Sequence, residues 1–151
     1  DQALYPIPLN RRFFAGGSNS LRGWFARGIG NVLNPELGGN LIIEATLESR
    51  IRMSKSKKEF AFIDANKIWL VFFADFGNIW NNMKEIHLYD FSISTGVGFR
   101  YDLFFGPLRI DFGLKGYDPY DKEGKKWITE KPFIKKVLGK GQVHFGIGHA
   151  F

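Results

Sequence analysis

Cysteine is absent from the 151 residues, which excludes a disulfide framework and a thiolate metal site. The absence fits an oxidising compartment and fits equally a cytosolic protein that lacks thiols. Long apolar runs are also missing. The longest, Ile68 to Ala74 in "IWLVFFA", falls far short of the ~18 residues of a spanning helix, so a helical membrane protein is excluded. Asp1-Gln2-Ala3 carries neither Met nor a basic-then-apolar leader. No signal peptide is expected, and the chain reads as a mature product or a piece of something longer.

Catalytic signatures are equally scarce. His87, His144 and His149 do not cluster, and the last two fall on opposite faces of one alternating segment, so they form no metal pair. The sequence has no phosphate-binding glycine loop and no G-x-S-x-G elbow. The serines of "GGSNS" lack an identifiable base. No enzyme, metal or cofactor is expected.

What the chain does have is aromatic residues (17%, including 16 Phe), 18 Gly and only six Pro, a balance suited to many bent strands. Period-two alternation dominates and helical periodicity is hard to find. Ile93, Thr95, Val97, Phe99 and Tyr101 share one parity, against Ser92, Ser94, Gly96, Gly98 and Arg100. Leu108, Ile110, Phe112 and Leu114 alternate with Arg109, Asp111, Gly113 and Lys115. A soluble sandwich would bury the apolar parity, whereas a membrane barrel would turn it to lipid and face the polar parity to a wet lumen. Alternation alone leaves both open. The net charge of +6 is spread along the chain with no nucleic-acid-binding pattern, so no nucleic-acid partner is expected.

Connection lengths favour the barrel. Strands are expected at roughly 39–52, 67–79, 91–103, 107–116 and 142–151. The links alternate between short and long, as periplasmic turns and extracellular loops do. Trp80, Tyr89 and Phe91 at one end and Phe104, Phe105 and Phe151 at the other suit two interfacial belts. "SKSKKE" at 54–59 reads as a solvated turn. Residues 118–140 hold seven Lys against four acids and read as an exposed basic loop, suited to lipopolysaccharide phosphates. Five strands cannot close a barrel, and an open edge in hydrocarbon leaves backbone groups unsatisfied. The expectation is therefore the C-terminal part of a larger all-β transmembrane barrel.

Within "VFFADFGNIW", Asp75 shares its parity with Trp69, Val71, Phe73 and Gly77. It would point inward, with space left by Gly77. Two readings stand side by side: a hydrated lumen carboxylate, or one paired with an arginine, whose planar fork satisfies both oxygens.

Four segments, "GGSNSLRGW" (16–24), "FADFGNIW" (73–80), "STGVGFRYDLFFGPLRIDFG" (94–113) and the terminal "FGIGHAF", occur in this order. Together they resemble the C-terminal half of BamA/TamA-type outer-membrane assembly factors, the bacterial surface antigen family. The resemblance implies a sixteen-stranded barrel with an extracellular loop, here 11–38, folded into the lumen. It implies that Arg22, Gly23 and Trp24 form the loop's Arg-Gly-aromatic motif, with Trp24 where Phe or Tyr is usual. Arg22 would pair with Asp75, beside Gly77, with "GGSNS" as hinge and Glu48 and Asp111 as secondary partners. Val143, Phe145, Ile147, Gly148 and Phe151 would carry a closing-strand signal over 142–151. The implied function is insertion of β-barrel proteins into the bacterial outer membrane. Its partners would be nascent outer-membrane proteins, the rest of the barrel, periplasmic domains, accessory lipoproteins and outer-membrane lipid. A polypeptide-secreting transporter of the same superfamily is the alternative, and a soluble β-sandwich binding module a further one.

Overall fold

In the computed structural model, residues 7–29, 37–54, 59–60, 63–130, 132 and 141–148 are described. The alternating segments become five antiparallel strands of one sheet, in order β1-β4-β5-β6-β7. These are β1 (Leu41–Arg52), β4 (Ile68–Trp80), β5 (Ser92–Leu103), β6 (Gly106–Tyr117) and β7 (Gln142–Ile147). Among the described residues there is no α-helix. Gly106, at φ +129°, completes the tight β5–β6 turn, where a side chain would be strained.

One link differs from expectation. The link 53–66 carries a small hairpin of its own, β2 (Glu59–Phe60) with β3 (Ile63–Asp64), at the C-terminal end of the charged run. The described part of the closing strand is Gln142–Ile147; Gly148, at φ +94°, bends the chain and still donates its N–H to the Pro107 carbonyl at 2.8 Å. His149 and Phe151 lie outside the described residues.

The two faces of the sheet invert the usual order of a water-soluble protein. Leu47, Phe72, Val97, Ile110, Phe145 and Ile147 stand exposed on one face. Buried on the other are Asp75, Ser94, Arg100, Arg109 and Asp111. A soluble sandwich would hide the first set, so that alternative fails: a sheet-wide apolar surface this large marks contact with lipid or protein. Strands of twelve or thirteen residues, as β1, β4, β5 and β6 are, exceed the ~9–11 that cross a bilayer. Phe104 and Tyr89 project into solvent at opposite ends of the sheet, as an aromatic belt requires. Trp80 does not join it, being buried edge-on against Phe91.

What covers the polar face is the segment before β1. Ala15, Leu21, Trp24 and Ile29 of that segment pack with Ile79 of β4 into a small apolar cluster, with Ile42 of β1 against it. The hydrophobic core therefore joins a loop to a wall and does not join two sheets. Val97→Arg, on the outer face, should destabilise the full-length barrel folded into lipid vesicles by about 2–4 kcal/mol. Thr46→Lys, on the lumen face opposite Asp75, should cost far less in the same urea titration; equal losses would contradict the assignment of faces.

Candidate functional site

Residues 11–29 reach the sheet through local order. Phe13 bridges Gly39, and Ala15 bridges Ile29, which draws the segment into a closed loop. "GGSNS" within it is a hydrogen-bonded turn. The Gly17 amide donates to the carbonyl of Trp24 at 3.1 Å, and the Gly16 amide to Ser20 Oγ at 2.8 Å. Gly16 and Gly17 sit at φ +102° and +100°, which glycine adopts without the penalty of a Cβ. Ser20 in turn donates to Glu44 on β1, so the turn is pinned to the wall. Arg22 follows it, 1% exposed.

The Arg22 guanidinium lies edge-on to Asp75. Nε donates to Oδ2 at 3.0 Å and Nη2 to Oδ1 at 2.6 Å. The backbone N–H of Arg22 donates to Oδ2 at 3.0 Å, and Ser94 Oγ–H to the same oxygen at 2.8 Å. Asp75 thus accepts four bonds, the capacity of an ionised carboxylate. The remaining Arg22 nitrogen, Nη1, donates to Glu48 at 2.6 Å. Glu48 is held from its other side by Arg50 at 2.8 Å. The guanidinium also rests on the Phe73 ring, 3.5 Å from its centroid, a cation–π contact worth about 2 kcal/mol or more when desolvated. Arginine alone has the planar fork for this arrangement; lysine offers a point charge.

Of the expected secondary partners, Glu48 reaches Arg22 and Asp111 does not. Asp111 accepts from Arg100 Nη1 at 2.6 Å, because Gly98, its register partner, leaves room for the Arg100 side chain to fold across. Gly77 is packed against the Ile43 carbonyl and Leu21, where an added Cβ would lie 2.6 and 3.1 Å away. Gly23 lies against the Leu114 carbonyl and Ser94, each 2.8 Å from such a Cβ. Trp24 packs into the apolar cluster and receives Lys115 Nζ 5.0 Å from its ring centroid. Val143, Phe145 and Ile147 point outward and are exposed, while Gly148 forms the bend.

Several participants were not singled out from sequence. Ser94 completes the Asp75 shell. Gly113 leaves a gap that the Arg22 carbonyl enters. His144 on β7 lies with Nε2 3.0 Å from that same carbonyl, tying the closing strand to the loop. The signal available was small residues at inward parity, namely Ser94, Gly96 and Gly113, which thin the wall where a segment sits. At the mouth, a cavity of about 270 Å³ is lined by Gly39, Trp80, Glu85, Asp90 and Tyr120. Burial, opposed by the hydrogen bond from Asn78 and aided by Asp90 and Asp118, raises the Tyr120 pKa, so its hydroxyl stays neutral. Such an arrangement braces the loop against the wall.

The family model described as the Omp85 superfamily domain matches residues 4–151.

Gly113→Val should expel the Arg22 carbonyl from its gap. In the full-length protein the loop should then become cleavable by added protease, with the barrel still folded. Arg22→Lys should give partial cleavage. Protection unchanged in both variants would mean that the loop is held elsewhere.

Proposed function

The chain belongs to the Omp85 superfamily, whose members act in outer-membrane β-barrel assembly or polypeptide secretion, and on that premise we propose the narrower role of an insertase. The parent protein inserts other β-barrel proteins into the bacterial outer membrane, and residues 1–151 are the C-terminal portion of its barrel. Residues 11–38 are the lumen-inserted loop and 142–151 the closing strand. The observation that carries this reading is the contrast between a braced wall and a weak edge. Arg22 ties the loop to β1 and β4 through buried ion pairs. Among the described residues β7 spans six, half the length of β1, β5 and β6, and pairs with β6 alone among the described strands.

Six residues rise about 20 Å, and tilted by ~40° they cover less than the ~25 Å apolar band of a barrel wall. A short edge of this kind suits two steps. The bilayer thins beside it, and when its short seam with the neighbouring strand opens, the freed backbone groups accept an incoming strand by β-augmentation. No nucleotide or cofactor is needed, since pairing and burial supply the driving force. Arg22, Asp75 and Glu48 hold the loop and do not react. The substrates would be nascent outer-membrane proteins, delivered by periplasmic domains and accessory lipoproteins of the parent. The basic segment 118–140 would meet lipopolysaccharide phosphates on the outer leaflet.

Arg22→Glu should abolish rescue of a strain depleted of the parent protein, since removing one partner of a buried pair costs about 3–5 kcal/mol. Adding Asp75→Arg should restore part of it, less than fully because Glu48 keeps Arg50 but then faces a carboxylate at position 22 in place of its arginine. Wild-type growth in single and double variants would remove the pair from the mechanism. Purified parent in liposomes should also speed folding of urea-denatured barrel proteins. Failure there, together with loss of a secreted polypeptide on depletion, would favour the transporter.

A further inference from the structure

Arg109, on the lumen face of β6, is 4% exposed, yet only one of its nitrogens is used. Nη2 donates to Asn19 Oδ1 in the inserted loop. Nε and Nη1 reach no acceptor among the described residues. The nearby carboxylates are committed elsewhere: Asp111 to Arg100, Glu48 to Arg22 and Arg50. Asp111 keeps a free Oδ2 but lies beyond ion-pair distance of Arg109.

The direction taken by the side chain is informative. The register partner of Arg109 on β7 is Gly146, and a Cβ built there would collide with the Nε of Arg109 and come within 3.2 Å of its Cγ and Cζ. The guanidinium therefore lies across β7, through the space that any side chain at 146 would fill. Beyond β7 the sheet has no further described strand. Neighbouring strands are ~4.8 Å apart, so an arginine that has crossed one strand can meet an acidic side chain on the next.

We propose that Arg109 is the receptor for a carboxylate on the lumen face of the strand that closes against β7, supplied by the parent's own barrel. A resident partner is favoured over a passing substrate by the state of the resting protein. A guanidinium this deeply buried is strongly unfavourable without a counter-charge, and a transient strand would leave it so most of the time. The ion pair fixes register. A two-residue slip of the neighbouring strand keeps every apolar residue outward but carries the acid away from Arg109. Gly146 is required as the crossing point. This inference rests on the barrel reading and not on insertase activity.

The test uses the full-length protein in native membranes, with one cysteine replacing Phe145 and one on the outward face of the strand beside it; the present segment contributes no other thiol. Disulfide yield reports the seam whether or not the protein inserts substrates. Arg109→Gln should lower the yield about fivefold or more, as expected when one partner of a buried pair is removed, and Arg109→Lys should retain most of it. Gly146→Leu, which keeps every charge, should match Arg109→Gln. Suppressors of Arg109→Glu should be Lys or Arg at one acidic, lumen-facing position of the neighbouring strand. An unchanged yield in Arg109→Gln would overturn the proposal, as would suppressors confined to Asp111 or Asn19. If Arg109→Gln fails to assemble, as judged by heat-modifiable migration, Arg109→Lys decides. Near-normal cross-linking supports the charge pair, and an equal failure to assemble refutes it.

Discussion

One ion pair organises this segment. Asp75 faces inward on β4, and Arg22 descends on it from a loop fifty-three residues earlier in the chain. Neither could sit where it does alone, because an unpaired buried charge is prohibitive. Together they saturate each other: the carboxylate accepts four bonds, and the guanidinium adds Glu48 and the Phe73 face. The surrounding small residues follow from the pair. Ser94 supplies the last donor to Asp75, Gly96 makes room for the Phe73 ring, and Gly113 receives the Arg22 backbone.

This arrangement also explains why the hydrophobic core is small and oddly placed. The apolar residues of the strands are spent on the outer face, where hydrocarbon receives them. Cohesion inside comes largely from polar contacts, with Ala15, Leu21, Trp24 and Ile29 of the loop and Ile79 of β4 forming a small apolar cluster between loop and wall. Arg100 with Asp111, and Arg50 with Glu48, extend the charge network along the wall. In water such exposed apolar strands would associate; in a bilayer the same surface is satisfied.

Much of this was legible in the residues. Strict alternation located the five strands to within a few positions, since a period of two has no helical competitor here. Inward parity marked Asp75, Glu48 and Asp111, and the resemblance marked Arg22. Parity did not tell which carboxylate receives which arginine; the pairing of Arg22 with Asp75 came from the resemblance. Parity gives a face, but the pairing of Asp111 with Arg100 depends on Gly98 leaving a gap across the register. The β2–β3 hairpin and the bend at Gly148 were missed for a similar reason. Both depend on local backbone choices that a short charged run or a lone glycine does not declare.

The contacts of β7 bring the loop and the edge into one frame. His144 reaches the Arg22 carbonyl at 3.0 Å, so the closing strand touches the very residue that anchors the loop. Arg109, one strand in, holds Asn19 of the same loop while crossing over Gly146. Among the described residues the loop braces β1 and β4 through ion pairs and meets β7 through the imidazole of His144, so its hold grades from charge at the wall to one polar contact at the rim. On the proposed reading this gradient is what an insertase needs. A wholly rigid barrel could not admit a strand at its seam, and a wholly compliant one would leave its edge to pair at random. Energy concentrated in the Arg22–Asp75 contact lets the edge stay weak without the barrel coming apart.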